Sequence, residues 1–500
     1  MRNFSKSKLM ALRQCEKRLW LEVHQPELRE VSDQAEYRVQ IGYQVGEIAQ
    51  RIFDPDGQGA LIDIEHEGFA AAFARSAELL TQRQPIFEAG FTGGGALAFA
   101  DVMLPSNPPD ALSWQMIEVK SSTSVKDYHR DDIAVQAYVA RVAGVPLSSV
   151  ALAHINSTWF YPGEEDYRGL FKLNDLTDEA SARADEVKSW INRAGEVVAR
   201  PTEPDIRVGA QCNAPFECAF YAYCNRHAGK PEHPVDWLPR FSSARAQKLA
   251  EQGIHDLRDV PDELLNENQL RVKTHTLNDT PYFDAEGAAA DLAPYALPAQ
   301  FLDFETIQFA IPIWAGTRPY QQIPFQFSLH TVTADGQLEH REFLDLSGND
   351  PSHSFAAELI RCCGDMPLPV FVYNAAFEQS RIRELAERFP EYGEALRAIN
   401  ERIVDLLPIA RERYYHPSQQ GSWSIKAVLP AVVPDLRYSD LDGVQDGGMA
   451  MEAFLEALHS QTHTERKGLI RQQLLAYCKL DTYAMVRLWQ VFAGRGEQVL

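Results

Sequence analysis

The chain lacks any apolar run approaching the roughly 18 residues that a membrane-spanning helix needs, so no membrane span is expected. Its opening, MRNFSKSKLMALRQCEKRLW, has basic residues but no apolar stretch behind them. That reads as an amphipathic helix and not a secretory signal, and a cytoplasmic location is expected. Basic residues are in deficit: 48 Lys and Arg face 70 Asp and Glu, a formal charge of −22. Such a balance argues against a protein that reads nucleic-acid sequence through a broad basic surface. It leaves room for an enzyme with a local basic groove, whose non-specific binding would be weak and salt-sensitive. Cysteines are few and odd in number, seven, which argues against a disulfide framework in a cytoplasmic chain. No internal repeat or low-complexity tail is present.

What remains is the composition of a soluble globular protein, 45% hydrophobic, in a chain of 500 residues. That length suggests about two to four domains. Residues 1–60 read as helical, with Ser5 or Ser7 as an N-cap. Further on, PIFEAGF, ALAFADVML and WQMIEVKSS read as strands, YHRDDIAVQAYVARVAGV as a helix and SVALAHIN as another strand. Three strands, a helix and a strand make an α/β core. A charged helix is expected over 175–200. Residues 242–265 read as two short helices around Gly253-Ile254, weakly resembling a helix–hairpin–helix unit; a plain helical connector is the reading the residues favour. The Ala/Pro/Gly-rich stretch 284–300 reads as a linker. A second α/β domain follows, with strands FLDFET, PFQFSLHTVT, HREFLDLS and PVFVYN.

The stretch PAQFLDFET puts Asp303 and Glu305 on one face of a strand. Two acids so placed suit either a solvated face or a divalent metal. PVFVYNAAFEQSRIREL is a buried-looking strand, then Asn374, then a helix with Glu378 near its start, where an acid also suits the helix dipole. LLAYCKLDTYAMVRLW places Tyr477 and Asp481 at i, i+4 on one helical face. Each pattern has an ordinary structural use. Together they supply the converging carboxylates that two-metal phosphodiester hydrolysis requires, with oxygen ligands that suit Mg²⁺ or Mn²⁺.

In that order these residues resemble the DnaQ-like (DEDD) 3′–5′ exonucleases in their Tyr variant, which have an RNase H-like fold. The resemblance covers about 200 residues. It implies Asp303, Glu305, Glu378 and Asp481 as catalytic metal ligands and Tyr477 as the group that positions water. Glu378 departs from the family, which has Asp in the N-x-x-F-D motif. Asp405, in RIVDLLPIA, is the nearest substitute carboxylate.

In the N-terminal half, ALAFADVML carries Asp101 and MIEVKSS places Glu118 and Lys120 on one strand face, with Val119 toward the core. Carboxylates there suit a metal, and a lysine suits orienting water or stabilising developing charge. An exposed Glu/Lys pair is the ordinary alternative. Glu88 lies one strand earlier, and Gln136 and Tyr138 on the helix after the lysine strand. This arrangement resembles the RecB-like PD-(D/E)xK nucleases. Their helix motif is Q-x-x-x-Y, whereas one residue separates Gln136 from Tyr138 here. The early His of that family is not evident after Gly46, and Glu47 is its nearest stand-in.

Cys212, Cys218 and Cys224 follow a C-x5-C-x5-C spacing, and Cys15 precedes the core. Three buried structural thiols are one reading. One cysteine before the core and three after it resembles the iron–sulfur exonucleases among RecB-like enzymes, whose trio is C-x2-C-x5-C. The resemblance implies a [4Fe–4S] cluster on these four residues; four thiolates also suit Zn²⁺. Cys362, Cys363 and Cys478 read as core thiols.

Taken together, both halves resemble a largely uncharacterised bacterial family that joins these two modules. The expected organisation is a PD-(D/E)xK nuclease domain with a four-cysteine cluster over 1–230, a helical connector and linker over 231–297, and an RNase H-like exonuclease domain over 298–500. The expected activity is metal-dependent hydrolysis of nucleic acid, DNA in preference to RNA. The alternatives are a catalytically degenerate nucleic-acid-binding scaffold for a repair or phage-defence complex, favoured by Glu378 and the charge, and an RNA-trimming exonuclease. The sequence does not name a protein partner.

Overall fold

Alternating burial along Ala96–Pro105 shows how the first sheet forms: in ALAFADVML every second residue from Ala96 to Ala100 turns inward. The structure, a computed structural model, describes residues 3–30, 33–106, 112–227 and 231–495. It is a mixed α/β protein, about half helical, with three sheets among the described residues. The chain packs as two units, one of residues 1–230 with 309–320, the other of residues 231–308 with 321–500.

In the first unit, Ile86–Gly93, Ala96–Pro105 and Trp114–Lys120 run antiparallel in that order. Leu147–Ile155 then lies parallel to Trp114–Lys120, and Phe171–Asp175 closes the far edge. The parallel step needs a crossover, which the Asp127–Val142 helix provides. Nine of its sixteen residues are buried, among them Ala134, Ala137 and Ala140, whose small side chains let it lie close to the sheet. The Lys6–Gln14 and Ala184–Val198 helices pack beside it. The first hairpin turns through Gly94 and Gly95, both at positive φ. A Cβ on Gly94 would come within 2.6 Å of the Tyr138 hydroxyl, so Tyr138 is committed to this turn.

Residues 309–320 belong to this unit although they interrupt the second half of the chain. The Tyr161 N–H donates to the Thr317 carbonyl (2.9 Å) and the Gly316 N–H to the Tyr161 carbonyl (2.8 Å). The Tyr320 hydroxyl donates to the Ser121 carbonyl, and Ala310 packs with Val45 and Ile155.

The second unit is built on a five-stranded sheet in the order Leu338–Leu344, Ile323–Val332, Ala299–Ile307, Val370–Val372, Ile403–Asp405. The first three are antiparallel and the last two parallel to Ala299–Ile307. Ile323–Val332 is buried at nine of ten positions, as a central strand covered on both faces should be. The Ser352–Cys363, Ala376–Arg388 and Gly393–Glu401 helices enclose one apolar core with it. The 29-residue Thr464–Phe492 helix packs along Ala299–Ile307 and Ile323–Val332.

Two local expectations change. The stretch 284–300 is not a simple linker: Ala285–Leu292 is a helix, capped by Asp284 and burying Ala288 and Leu292. Its alanines are the strongest of helix formers, which outweighs Gly287. After Gly253 no second α-helix forms; Pro261 breaks the segment into two single 3₁₀ turns, and the next helix is Glu267–Leu277. Residues 231–297 pack within the second unit.

Candidate metal centre and a second carboxylate cluster

Period-two geometry places Asp303 and Glu305 on the face of their strand that meets the Thr464–Phe492 helix, and helical geometry brings Asp481 to the same point. Ligand oxygens of Asp303, Glu305 and Asp481 all lie within 4.8 Å of one another. Among the described residues this is the sole group of three or more acids, histidines or cysteines so placed. The helix is pinned here by polar contacts one residue beyond Asp481. The Thr482 hydroxyl lies 2.7 Å from the Ser328 hydroxyl and 2.8 Å from His330 Nδ1, and Gln326 donates to the Leu474 carbonyl at 2.7 Å.

The centre is short of positive charge. Burial, then the charges of Asp481, Glu305 and Glu378, push Asp303 well above the ordinary carboxyl range. Burial and Asp481 push Glu305 up to about 8, and burial takes Asp481 to about 6. Lys426 is the cation that tempers both, but its ammonium donates to the Gln445 carbonyl (2.9 Å) and sits over the rings of Tyr438 (5.3 Å) and Tyr477 (5.1 Å). Tyr438 donates to Asp481 Oδ1 at 2.5 Å. Burial and the surrounding acids hold the phenols of Tyr477 and Tyr438 protonated.

Glu378 is buried, and its Oε2 meets no hydrogen-bond partner. Burial, with the charge of Asp405, takes it to about 8. It lies near enough for its charge to be felt at Asp303 and Glu305, but outside the close group of three. Asp405 is not a spare ligand. Its carboxylate accepts the N–H groups of Asn374 (2.9 Å), Ala375 (3.0 Å) and Leu407 (2.9 Å), so it caps one helix and clamps the turn that launches Glu378. Asn374 takes φ 76° in that turn, a conformation Asn tolerates.

In the first unit the predicted Asp101, Glu118, Lys120 and Gln136 also converge, with a different electrostatic outcome. Glu118 Oε1 receives Lys120 Nζ at 2.5 Å and Lys6 Nζ at 3.0 Å, and Gln136 donates to Oε2 at 2.5 Å. Both lysines also reach Asp132, at 2.7 and 3.2 Å. Burial alone would raise Glu118; the two ammonium groups overrule it and hold the carboxyl well below its ordinary range. Asp101 accepts the Val119 N–H at 2.7 Å and is raised by burial and Glu118. Glu88 stands opposite Asp101 at a break in the ladder, at φ 57°, and burial with Glu118 takes it to about 7. Glu47 is exposed, and Tyr138 lies at the Gly94 turn. Lys6 and Asp132 were not singled out from sequence. Asp132 stands one helical turn before Gln136, which is the signal available for it; Lys6 is 112 residues from Glu118.

Cys15 joins two helices, serving as C-cap of Lys6–Gln14 and N-cap of Glu16–His24. With Cys212, Cys218 and Cys224 it lines one small cavity, and all four are free thiols. Burial raises the trio, Cys224 to about 11. No three of the four sulfurs lie within 4.8 Å of one another. Cys362, Cys363 and Cys478 are buried in the second unit.

Comparison with known proteins adds relatives without an assigned role. Residues 300–424 match a family described as a domain of unknown function (DUF2779), a span that holds Asp303, Glu305, Glu378 and Asp405. The uncharacterized protein MG366 of Mycoplasma genitalium is 26% identical over 210 residues, covering 38% of this chain and 31% of that protein. Its homologue in Mycoplasma pneumoniae is 27% identical over 209 residues, with the same shares. The chain thus spans under a third of the length of these curated relatives.

Proposed function

We propose that the protein is a metal-dependent nuclease whose hydrolytic centre is Asp303, Glu305 and Asp481, with Glu378 as the fourth acid. The observation that carries this reading is the close group of three carboxylates, Asp303 half-buried and Asp481 buried, with no ion-paired cation of their own among the described residues. Buried acids in that state are neutralised by protons or by an external cation, and the close convergence of three favours the cation. Mg²⁺ or Mn²⁺ held there would polarise a phosphodiester and lower the pKa of water. Tyr438 donates to one oxygen of Asp481 and so orients its carboxyl toward the group. Tyr477, kept protonated beside Asp481, offers a hydroxyl to orient water. The antiparallel–parallel strand order of the second sheet supports an RNase H-like, DnaQ-like domain. DNA is the favoured substrate, from the resemblance of the first half to DNA-end-processing enzymes.

The first unit we read as a PD-(D/E)xK-type module on Asp101, Glu118, Lys120 and Gln136. The two lysines on Glu118 and Asp132 favour a second reading of this half as a binding platform, because they fill the place of a cation. The four cysteines we read as ligands of a [4Fe–4S] cluster, as the resemblance implies, with Zn²⁺ as the alternative that four thiolates also suit. The cluster would tie the opening helices to the segment after residue 210.

The test uses anaerobically purified protein, Mn²⁺ or Mg²⁺, and end-labelled single- and double-stranded DNA and RNA. Wild type, Asp303→Ala and Lys120→Ala are compared. Loss of shortening in Asp303→Ala supports the centre, and an independent loss in Lys120→Ala adds the first unit as a nuclease. A wild type that binds but never cuts sinks the enzymatic reading in favour of a scaffold.

A further inference from the structure

The second unit holds a cavity of about 1090 Å³ that the metal centre does not account for. The 231–297 segment forms one wall, with Arg240, Asn266, Arg271 and Tyr282. The opposite wall carries Tyr373, Asn374, Arg411, Arg413 and Trp423. Two of the four arginines are structural. Arg271 lies 4.2 Å over the Tyr282 ring and donates to the Glu412 carbonyl (2.7 Å); Arg413 is paired with Asp284 and Asp291. Arg240 and Arg411 have no salt-bridge partner among the described residues. The lining carries four arginines against two acids, Glu267 and Glu412, a local excess of positive charge in a chain of net charge −22.

The cavity is joined to the candidate centre by sequence. Asn374 precedes Glu378 by one helical turn, and Ser424 and Ile425, also on the lining, directly precede Lys426. Arginines with aromatic neighbours are the combination that holds single strands, whose bases are free to stack while phosphates pair with guanidinium. A duplex keeps its bases inside and offers only its phosphates.

We propose that this cavity binds a single-stranded segment of nucleic acid, Arg240 and Arg411 pairing with its phosphodiesters, so that the strand end reaches Asp303. The choice of ligand rests on the nuclease reading above; the site itself lies outside that centre.

The test is fluorescence anisotropy on the full chain carrying Asp303→Asn, in EDTA, with labelled dT20 and rU20 as probes between 50 and 200 mM salt. Arg240→Glu with Arg411→Glu is expected to weaken binding at least roughly 10-fold. It should also flatten the log–log salt slope by about 1.4, two contacts at about 0.7 each for a single strand. Arg240 is exposed, so Arg240→Glu alone gives a folded variant with about half that change in slope. The dT20 and rU20 arms tell whether the phosphodiester comes from DNA or RNA. Unchanged affinity and slope, or no binding by the parent, overturns the proposal even if wild type cleaves. Arginine-dependent binding in a wild type that never cleaves keeps this site and removes the nuclease reading.

Discussion

Both units gather four carboxylates, the first from three strands and a helix, the second from one strand and two helices, yet they balance the charge in opposite ways. Around Glu118 and Asp132 the chain supplies its own cations, Lys6 and Lys120. Around Asp303, Glu305 and Asp481 it supplies hydrogen-bond donors and one lysine occupied elsewhere. In the first cluster Glu118 and Asp132 are ion-paired while burial raises Glu88 and Asp101. The second has no such ion pair among the described residues, and on the nuclease reading an ion from solution would complete it. What separates the two is whether the surrounding elements bring lysines, Lys6 and Lys120, or phenols, Tyr438 and Tyr477, to the carboxylates.

The comparison breaks most sharply at Asp303. Asp303→Asn is expected to cut Mn²⁺-dependent hydrolysis about 10⁴-fold, as when one member of a group acting as a unit is removed. The same change should raise the stability of the metal-free protein, because it removes one of the mutually repelling acids. A lowered midpoint in EDTA with activity retained would contradict both expectations. Lys6→Ala should do the reverse in the first unit. Leaving Glu118 and Asp132 short of a counter-ion costs about 3 kcal/mol, seen as a lower unfolding midpoint, and a neutral outcome would show that Lys120 alone balances the cluster.

The pH dependence sharpens the contrast. Glu305 and Glu378 near 8, and Asp481 near 6, are raised above their unfolded values of about 4. Between those limits the folded state binds more protons, so metal-free stability falls as pH rises from about 5 to 8. Mn²⁺ should restore it, increasingly so toward pH 8, because the ligands must be ionised to bind. Melting curves across that range with and without Mn²⁺ check this; a gain that shrinks with pH would refute it. The smallest effect is expected from Tyr438→Phe, which frees Asp481 Oδ1. Metal affinity should fall about 10-fold, measured by calorimetry, the lower end for a partner of a ligand.

Much of this was legible in sequence where a single element carries the pattern. Asp303 and Glu305 share a strand face by period two, and Tyr477 and Asp481 share a helical face, so local geometry alone aligns them. Tyr438 was not legible: it meets Asp481 across 43 residues from a 3₁₀ turn, with no periodicity to mark it. Lys426 was not singled out, and Asp405 was read as the nearest substitute carboxylate because its partners, backbone N–H groups, leave no mark in the sequence. Lys6 sits in a stretch read only as an amphipathic helix, and its charge looked like that of any exposed helix face.

The placement of residues 309–320 bears on how such a protein can be inherited. The chain passes from one unit to the other three times, after residues 230, 308 and 320. A gene cut after residue 230 would yield a first half without its Thr317 carbonyl for Tyr161, and with the apolar surface around Val45 and Ile155 uncovered. The two halves cannot be shuffled as independent cassettes; recombination that keeps one intact must carry a twelve-residue piece of the other's reading frame with it.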